Sequence, residues 1–234
     1  MSEEKFVTGN EQFLALDVTF GKMGLSKKTR QSYVDDIAKQ RIKNPPTSRP
    51  GASWTGDVNN NYALHNNPLY KELFSNVGKA LKTYCKNVGV NYDKFDFHVV
   101  RSWGTASNKG QEIAIHDHRY CNLSMVYYPK TVKNAGTLVL QPPHYEHLNE
   151  FIPNLFSAFG SDVLDLKNNA SSKYVSIFAD DDMFVIFPAK IPHSVESNQN
   201  EKPRYSIAID IVATLKDTNN VEQCLPPLTQ WSKI

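Results

Sequence analysis

Histidine and arginine side chains define what chemistry this chain could do. In the run IHDHRY, His116 and His118 stand two apart. On a strand, positions i and i+2 share a face, so both imidazoles can aim at one point while Asp117 faces away. A third histidine, His193, follows another strand-like run in FPAKIPHSV. Two imidazoles from one strand end and one from a distant strand can cap one corner of an octahedral metal, leaving three positions open for substrate and oxygen. Arg204 then opens RYSIAID, a run that as a strand puts Arg204, Ser206 and Ala208 on one face. An arginine in a core strand is costly to bury without an anion, and its planar fork matches a carboxylate with two parallel hydrogen bonds. Each feature alone has an ordinary alternative: strand histidines with local partners, or a salt bridge to one of the 24 acidic residues.

These residues need a rigid frame, and the periodicity supplies one. The 234 residues suit a single domain over 1–234. Residues 1–93 read as mostly helical and irregular. One helix starts at Ser26 and stops before Pro45-Pro46; a clearer one starts at Asn67, with Leu69, Leu73, Val77, Leu81 and Tyr84 at helical spacing and Gly89 as its stop. From 94 to 215 the period falls to two. Strands are expected at FDFHVVRSW, EIAIH, NLSMVYY, GTLVL, KYVSIF, MFVIF, HSV and RYSIAIDIVA. The fold class is therefore mainly β with flanking α-helices, on a double-stranded β-helix (jelly-roll, cupin-like) core. Residues 142–172, with Pro142-Pro143, His144 and His147, break the alternation and read as an insertion, a candidate lid over the substrate.

Composition narrows the function classes. Net charge is +2 with no basic run, so a nucleic-acid partner is not indicated. The start lacks a signal pattern and no apolar run is long enough to span a bilayer, which points to a soluble, cytoplasmic protein. Cys85, Cys121 and Cys224 are expected as reduced thiols. His65 reads as a loop residue and His98 as a strand residue with an ordinary partner. There is no phosphate-binding glycine loop, CxxC pair or G-x-S-x-G elbow.

In order, Trp103, His116, His118, Ser124, Tyr127-Tyr128, Gly136, Phe187-Pro188, His193, Val195, Asn198 and Arg204 form a pattern that resembles the 2-oxoglutarate- and iron(II)-dependent oxygenases. The likeness runs over about residues 51–212 and is greatest to a bacterial and phage group; prolyl hydroxylases share a looser version. The resemblance implies Fe(II), 2-oxoglutarate and O2 as cofactor and co-substrates. It implies His116 and His193 as metal ligands, with His118 in the place of the usual carboxylate. Arg204 would pair with the distal carboxylate of 2-oxoglutarate, Tyr128 would donate a hydrogen bond to it, and Ser206 and Ser124 would line the co-substrate site. The implied reaction is oxidative decarboxylation to succinate and CO2, coupled to hydroxylation of a substrate: a protein side chain, amino acid, nucleobase or metabolite. A homodimer is compatible with it.

One departure stands out. Relatives mostly carry histidine-x-acid, and exchanging an anionic ligand for a neutral one raises the formal charge of the site by one. Imidazoles suit zinc, copper and nickel as well as iron. A site of two histidines completed by water also stays open, as does Asp117 as ligand if the strand ends or twists there. Rival readings are a three-histidine cupin-like metalloenzyme without 2-oxoglutarate, and a non-catalytic jelly-roll binding module.

Overall fold

A cap and a narrow apolar stripe set each helix. The structure, a computed structural model, describes residues 16–43, 53–54, 61–141, 174–218 and 224–234. The Ser26 hydroxyl accepts the Thr29 amide at 3.0 Å and so caps α1 (Lys27–Lys43). Tyr33, Val34 and Ile37 form its buried stripe. Before α2 (Lys71–Asn87), the Asn67 side chain accepts the Leu69 amide in a short 3-10 turn. Leu73, Val77, Ala80, Leu81 and Tyr84 line the buried face of α2. The chain leaves it at Gly89, whose φ of +73° is easy for glycine alone.

All eight expected strands are present: β3 (Phe95–Ser107), β4 (Ile113–His116), β5 (Leu123–Lys130), β6 (Leu138–Leu140), β7 (Val175–Ile177), β8 (Met183–Pro188), β9 (His193–Val195) and β10 (Arg204–Leu215). Two short strands, β1 (Thr19–Lys22) and β2 (Ser53–Trp54), were not expected from the sequence. They are too short to show a period and form only because the large sheet offers free edges. The large sheet runs β1-β8-β5-β10-β3-β2 and the small one β4-β9-β6-β7. Every strand pair is antiparallel. This is the double-stranded β-helix. The proposed lid at 142–172 lies outside the described residues.

Alternation along the central strands decides what faces the site. Leu123, Met125 and Tyr127 of β5, Phe184 and Ile186 of β8, and Ile207, Ile209 and Ile211 of β10 pack under the helices. Their neighbours of opposite parity turn toward the small sheet: Tyr128, Val185 and Phe187 join Leu138, Leu140, Ile191 and Val195 in a second cluster. On that same inner parity stand Ser124, Arg204, Ser206 and Asp210, all buried.

Gly136 locks the small sheet to the loop after β9. Its φ is +82°, and an added Cβ would sit 2.0 Å from the Glu196 carbonyl oxygen. Gly136→Ala therefore meets both a backbone penalty and a clash. The expected loss is roughly 3 kcal/mol, or a melting temperature lower by about 6–12 °C for a chain of this size. A thermal melt of the metal-free protein checks this; an unchanged melt would mean that the loop moves freely aside.

Candidate metal centre

Strand register, not sequence proximity, gathers the three histidines. β4 and β9 pair so that His116 lies directly opposite His193, and β6 on the other side sets Leu140 against His193. The imidazole centroids of His116 and His193 are 4.3 Å apart. His118 joins at 5.2 Å from His116 and 5.0 Å from His193. One donor atom from each of the three lies within 4.8 Å of the others. The route to this cluster differs from the expected one. β4 ends at His116, so His118 is not on the strand; the His118 amide instead donates to the Ala189 carbonyl at 2.9 Å, which turns the chain back. Asp117 does not take its place. It accepts from the Arg119 guanidinium at 3.0 Å and lines an outer cavity.

All three imidazoles are held through Nδ1. Nδ1 of His116 contacts the Ala114 carbonyl at 2.8 Å, and Nδ1 of His193 contacts the Ile191 carbonyl at 2.9 Å. A carbonyl can only accept, so each Nδ1 carries the proton. Nδ1 of His118 meets the Asp210 carboxylate at 2.6 Å and the Ser124 hydroxyl at 2.8 Å. In a neutral ring with Nδ1 so engaged, Nε2 keeps its lone pair, the state a metal requires.

Arg204 is 2% exposed and lines the same cavity as the three histidines. It pairs across β3 with Ser107, whose hydroxyl lies 3.4 Å from Nη2. Its Nε and Nη1 are buried with no hydrogen-bond partner, and no carboxylate among the described residues forms an ion pair with it. Burial pushes its pKa down, with Tyr128 nearby acting against this. Tyr128 is itself fully buried, and burial pushes its phenol up while Arg204 opposes the shift. Tyr128, Ser124, Ser206, Arg204 and the three histidines all line this cavity of about 60 Å³. A buried guanidinium without an anion among the described residues is a net cost unless one enters.

The family comparison agrees. Residues 101–210 match the model of a family described as "Putative 2OG-Fe(II) oxygenase". Over that stretch, just under half of its length, the chain is similar to the 2-oxoglutarate/iron(II) oxygenases. No curated protein sequence matches it. Solved structures share its fold at low identity. A Trichoplax adhaerens prolyl hydroxylase, solved with a hypoxia inducible factor peptide, is 14% identical, with 83% of each chain covered and a TM-score of 0.54. SnoK, a non-haem α-ketoglutarate-dependent carbocyclase of nogalamycin biosynthesis, is 9% identical, covers 91% of this chain and 89% of its own, and scores 0.56. HygX from Streptomyces hygroscopicus, solved with nickel and 2-oxoglutarate, is 10% identical over 84% of this chain and 83% of its own, at 0.51. A 2OG-Fe(II) family oxidoreductase from Burkholderia pseudomallei is matched over only 57% of its length, at 10% identity, 63% coverage of this chain and a TM-score of 0.43.

The family match and the fold support an enzyme that uses Fe(II), 2-oxoglutarate and O2. No helix among its described residues is long and apolar enough to cross a membrane. Its cysteines are free thiols. His65 and His98 have structural partners, Ser102 at 2.8 Å and Thr214 at 3.0 Å.

Sequence reading missed Asp210 and Arg101. Asp210 is fully buried; on neighbouring strands its Cα partners are Arg101 and Ser124. Arg101 grips Oδ2 through Nη2 at 2.5 Å and Nε at 2.8 Å, and His118 takes Oδ1. Burial acts to raise the Asp210 pKa, but His118 and Arg101 prevail and hold it below the usual carboxylate range. The signal was its parity: Asp210 continues the face of Arg204, Ser206 and Ala208. His118, Cys121 and Asp210 also form a close donor group. In that group both Asp210 oxygens are already engaged by His118 and Arg101, and burial and then Asp210 push the Cys121 thiol up to about 12. Beyond His116 and His118, an outer cavity of about 330 Å³ is walled by Tyr62, Arg101, Trp103, Asp117, Arg119 and Tyr120.

The histidines make the metal-free oxygenase acid-sensitive. Burial, and then the neighbouring His116, lowers His193 to about 4, and burial also lowers His116. Between about 4 and the unfolded value near 6.5, the unfolded chain binds more protons than the native one. Stability from this group is therefore full above about pH 6.5 and drains away as the pH falls toward 4, by up to roughly 3 kcal/mol. Denaturant titrations of metal-free parent and His193→Gln at pH 7 and 4.5 test this. The parent should lose more stability than the variant; equal losses would place the acid sensitivity elsewhere.

Proposed function

We propose that this oxygenase is a hydroxylase in which His116, His118 and His193 hold iron(II) through Nε2. Arg204 and Tyr128 receive the distal carboxylate of 2-oxoglutarate, with Ser206 and Ser124 lining its path. The observation that carries this is one cavity lined both by the three clustered histidines and by a buried guanidinium that has no anionic partner among the described residues. When bound, iron(II) with 2-oxoglutarate and O2 supplies the oxidation: one oxygen atom goes to the co-substrate, giving succinate and CO2, and the other to a substrate C–H bond.

The chain's own part is orientation and exclusion of water. The backbone carbonyls of Ala114 and Ile191 fix two imidazole rings, and Asp210 fixes the third. Arg204 offers N–H groups at Nε and Nη1 that no described residue accepts, and each forms a parallel fork with Nη2 toward a carboxylate. Val126, Leu138, Phe187 and Val195 give the cavity an apolar wall. Trp103 lines both this cavity and the outer one, so the primary substrate would enter from the outer side, past Tyr62 and Tyr120.

The test has two stages. Anaerobic addition of 2-oxoglutarate to the iron(II)-loaded protein should produce a weak visible charge-transfer band. Admitting oxygen with a peptide and metabolite library should then yield succinate, together with a product heavier by one oxygen atom. Iron binding without the band counts against the co-substrate assignment, and succinate with a ring-closed or rearranged product counts against hydroxylation.

A further inference from the structure

The three proposed ligands are not equivalent in what holds their Nδ1–H. His116 and His193 give their Nδ1–H to neutral backbone carbonyls. His118 gives its Nδ1–H to a carboxylate, at 2.6 Å, from a residue that is fully buried. We propose that Asp210 is a positioning residue of the metal site: acting through His118, it supplies the negative charge that a carboxylate ligand supplies in histidine-x-acid relatives. The inference rests on the functional reading above, in which His118 is a ligand.

Three physical points support it. A carboxylate on Nδ1 fixes the ring and its tautomer and makes Nε2 a stronger donor. Its charge lies one imidazole away from the metal in a protein interior, where water screens it little. The charge is also built in by the sheet, because Asp210 stands between Ser124 of β5 and Arg101 of β3 in register. Arg101 opposes the effect, but its side chain is 43% exposed while that of Asp210 is 1%. Solvent therefore damps the guanidinium field at the metal more than the carboxylate field. The net result favours Fe(III) over Fe(II) relative to three plain imidazoles, which lowers the iron potential toward that of a carboxylate-ligated site.

The experiment compares the full-length parent with Asp210→Asn and Arg101→Gln. The asparagine keeps the shape, and its amide oxygen still accepts from Nδ1, so the ring stays in place without the charge. Anaerobic calorimetry with iron(II) alone should show affinity lower by about 10- to 100-fold in Asp210→Asn. The Fe(III)/Fe(II) midpoint potential should rise, while circular dichroism of the metal-free form stays parental. Arg101→Gln removes the opposing cation, so its potential should fall. That opposite sign is something a merely structural role would not produce. If Asp210→Asn cannot be folded, Arg101→Gln decides alone: a fall supports the proposal and an unchanged or raised potential overturns it. Iron-binding parent and Asp210→Asn with equal affinity and potential would overturn this inference alone. A parent that binds no iron(II) would remove the functional reading and this proposal together.

Discussion

Arg204→Ala is expected to weaken 2-oxoglutarate binding by roughly 30- to several thousand-fold and leave iron affinity close to the parental value. Truncating one member of a buried charge pair costs about 2–5 kcal/mol, and each 1.4 kcal/mol is about tenfold. The upper part of that range applies when the partner stays desolvated, and Arg204 is 2% exposed with two nitrogens awaiting an acceptor. Arg204→Lys should recover part of the loss, since an ammonium keeps the charge but not the planar fork. Arg204→Met separates binding from folding. It fills the space without a charge and should raise the melting temperature of the co-substrate-free protein, because an unpaired buried guanidinium is destabilising until an anion arrives. Calorimetry of each iron(II)-loaded variant under anaerobic conditions measures the effect. If folded Arg204→Ala binds 2-oxoglutarate as the parent does, the arginine is structural and the anchor must be sought elsewhere.

Much of this site was legible because strand alternation is a local property. The parity of RYSIAID put Arg204 and Ser206 on one face, and the parity of NLSMVYY put Ser124 with Tyr128; the buried inner faces of β10 and β5 follow both. The composition of the eight strands was enough for the fold class. What the residues could not reveal depends on contacts between distant segments. The opposition of His116 and His193 is a register between β4 and β9. The bend that brings in His118 is fixed by the Ala189 carbonyl, far along the chain, so the strand end at His116 was invisible locally. Asp210 sat within a motif already singled out, on the correct face. Its meaning appears only when β3 and β5 close on either side of β10 and His118 folds over it.

Loss of a metal ligand should be the most severe change to the centre itself. His193 is 6% exposed, held between His116 and Leu140 in register and against the Phe187 ring at 4.9 Å. Removing outer partners of ligands costs about 10- to 100-fold in metal affinity, so His193→Ala, which removes a proposed ligand, should lose on the order of 100-fold or more. A melt can read this directly. At iron(II) a hundred times the parental dissociation constant, binding stabilises the parent by about 2.7 kcal/mol. After a 100-fold loss that gain shrinks to roughly 0.4 kcal/mol, so the iron-induced shift in melting temperature should all but vanish. His116→Ala and His118→Ala should behave alike. Asp117→Ala should not, because Asp117 pairs with Arg119 and is not part of the close donor group of the three histidines. Should Asp117→Ala abolish the iron-induced shift while His118→Ala keeps it, the aspartate is the ligand, and His118 with its Asp210 partner is scaffolding.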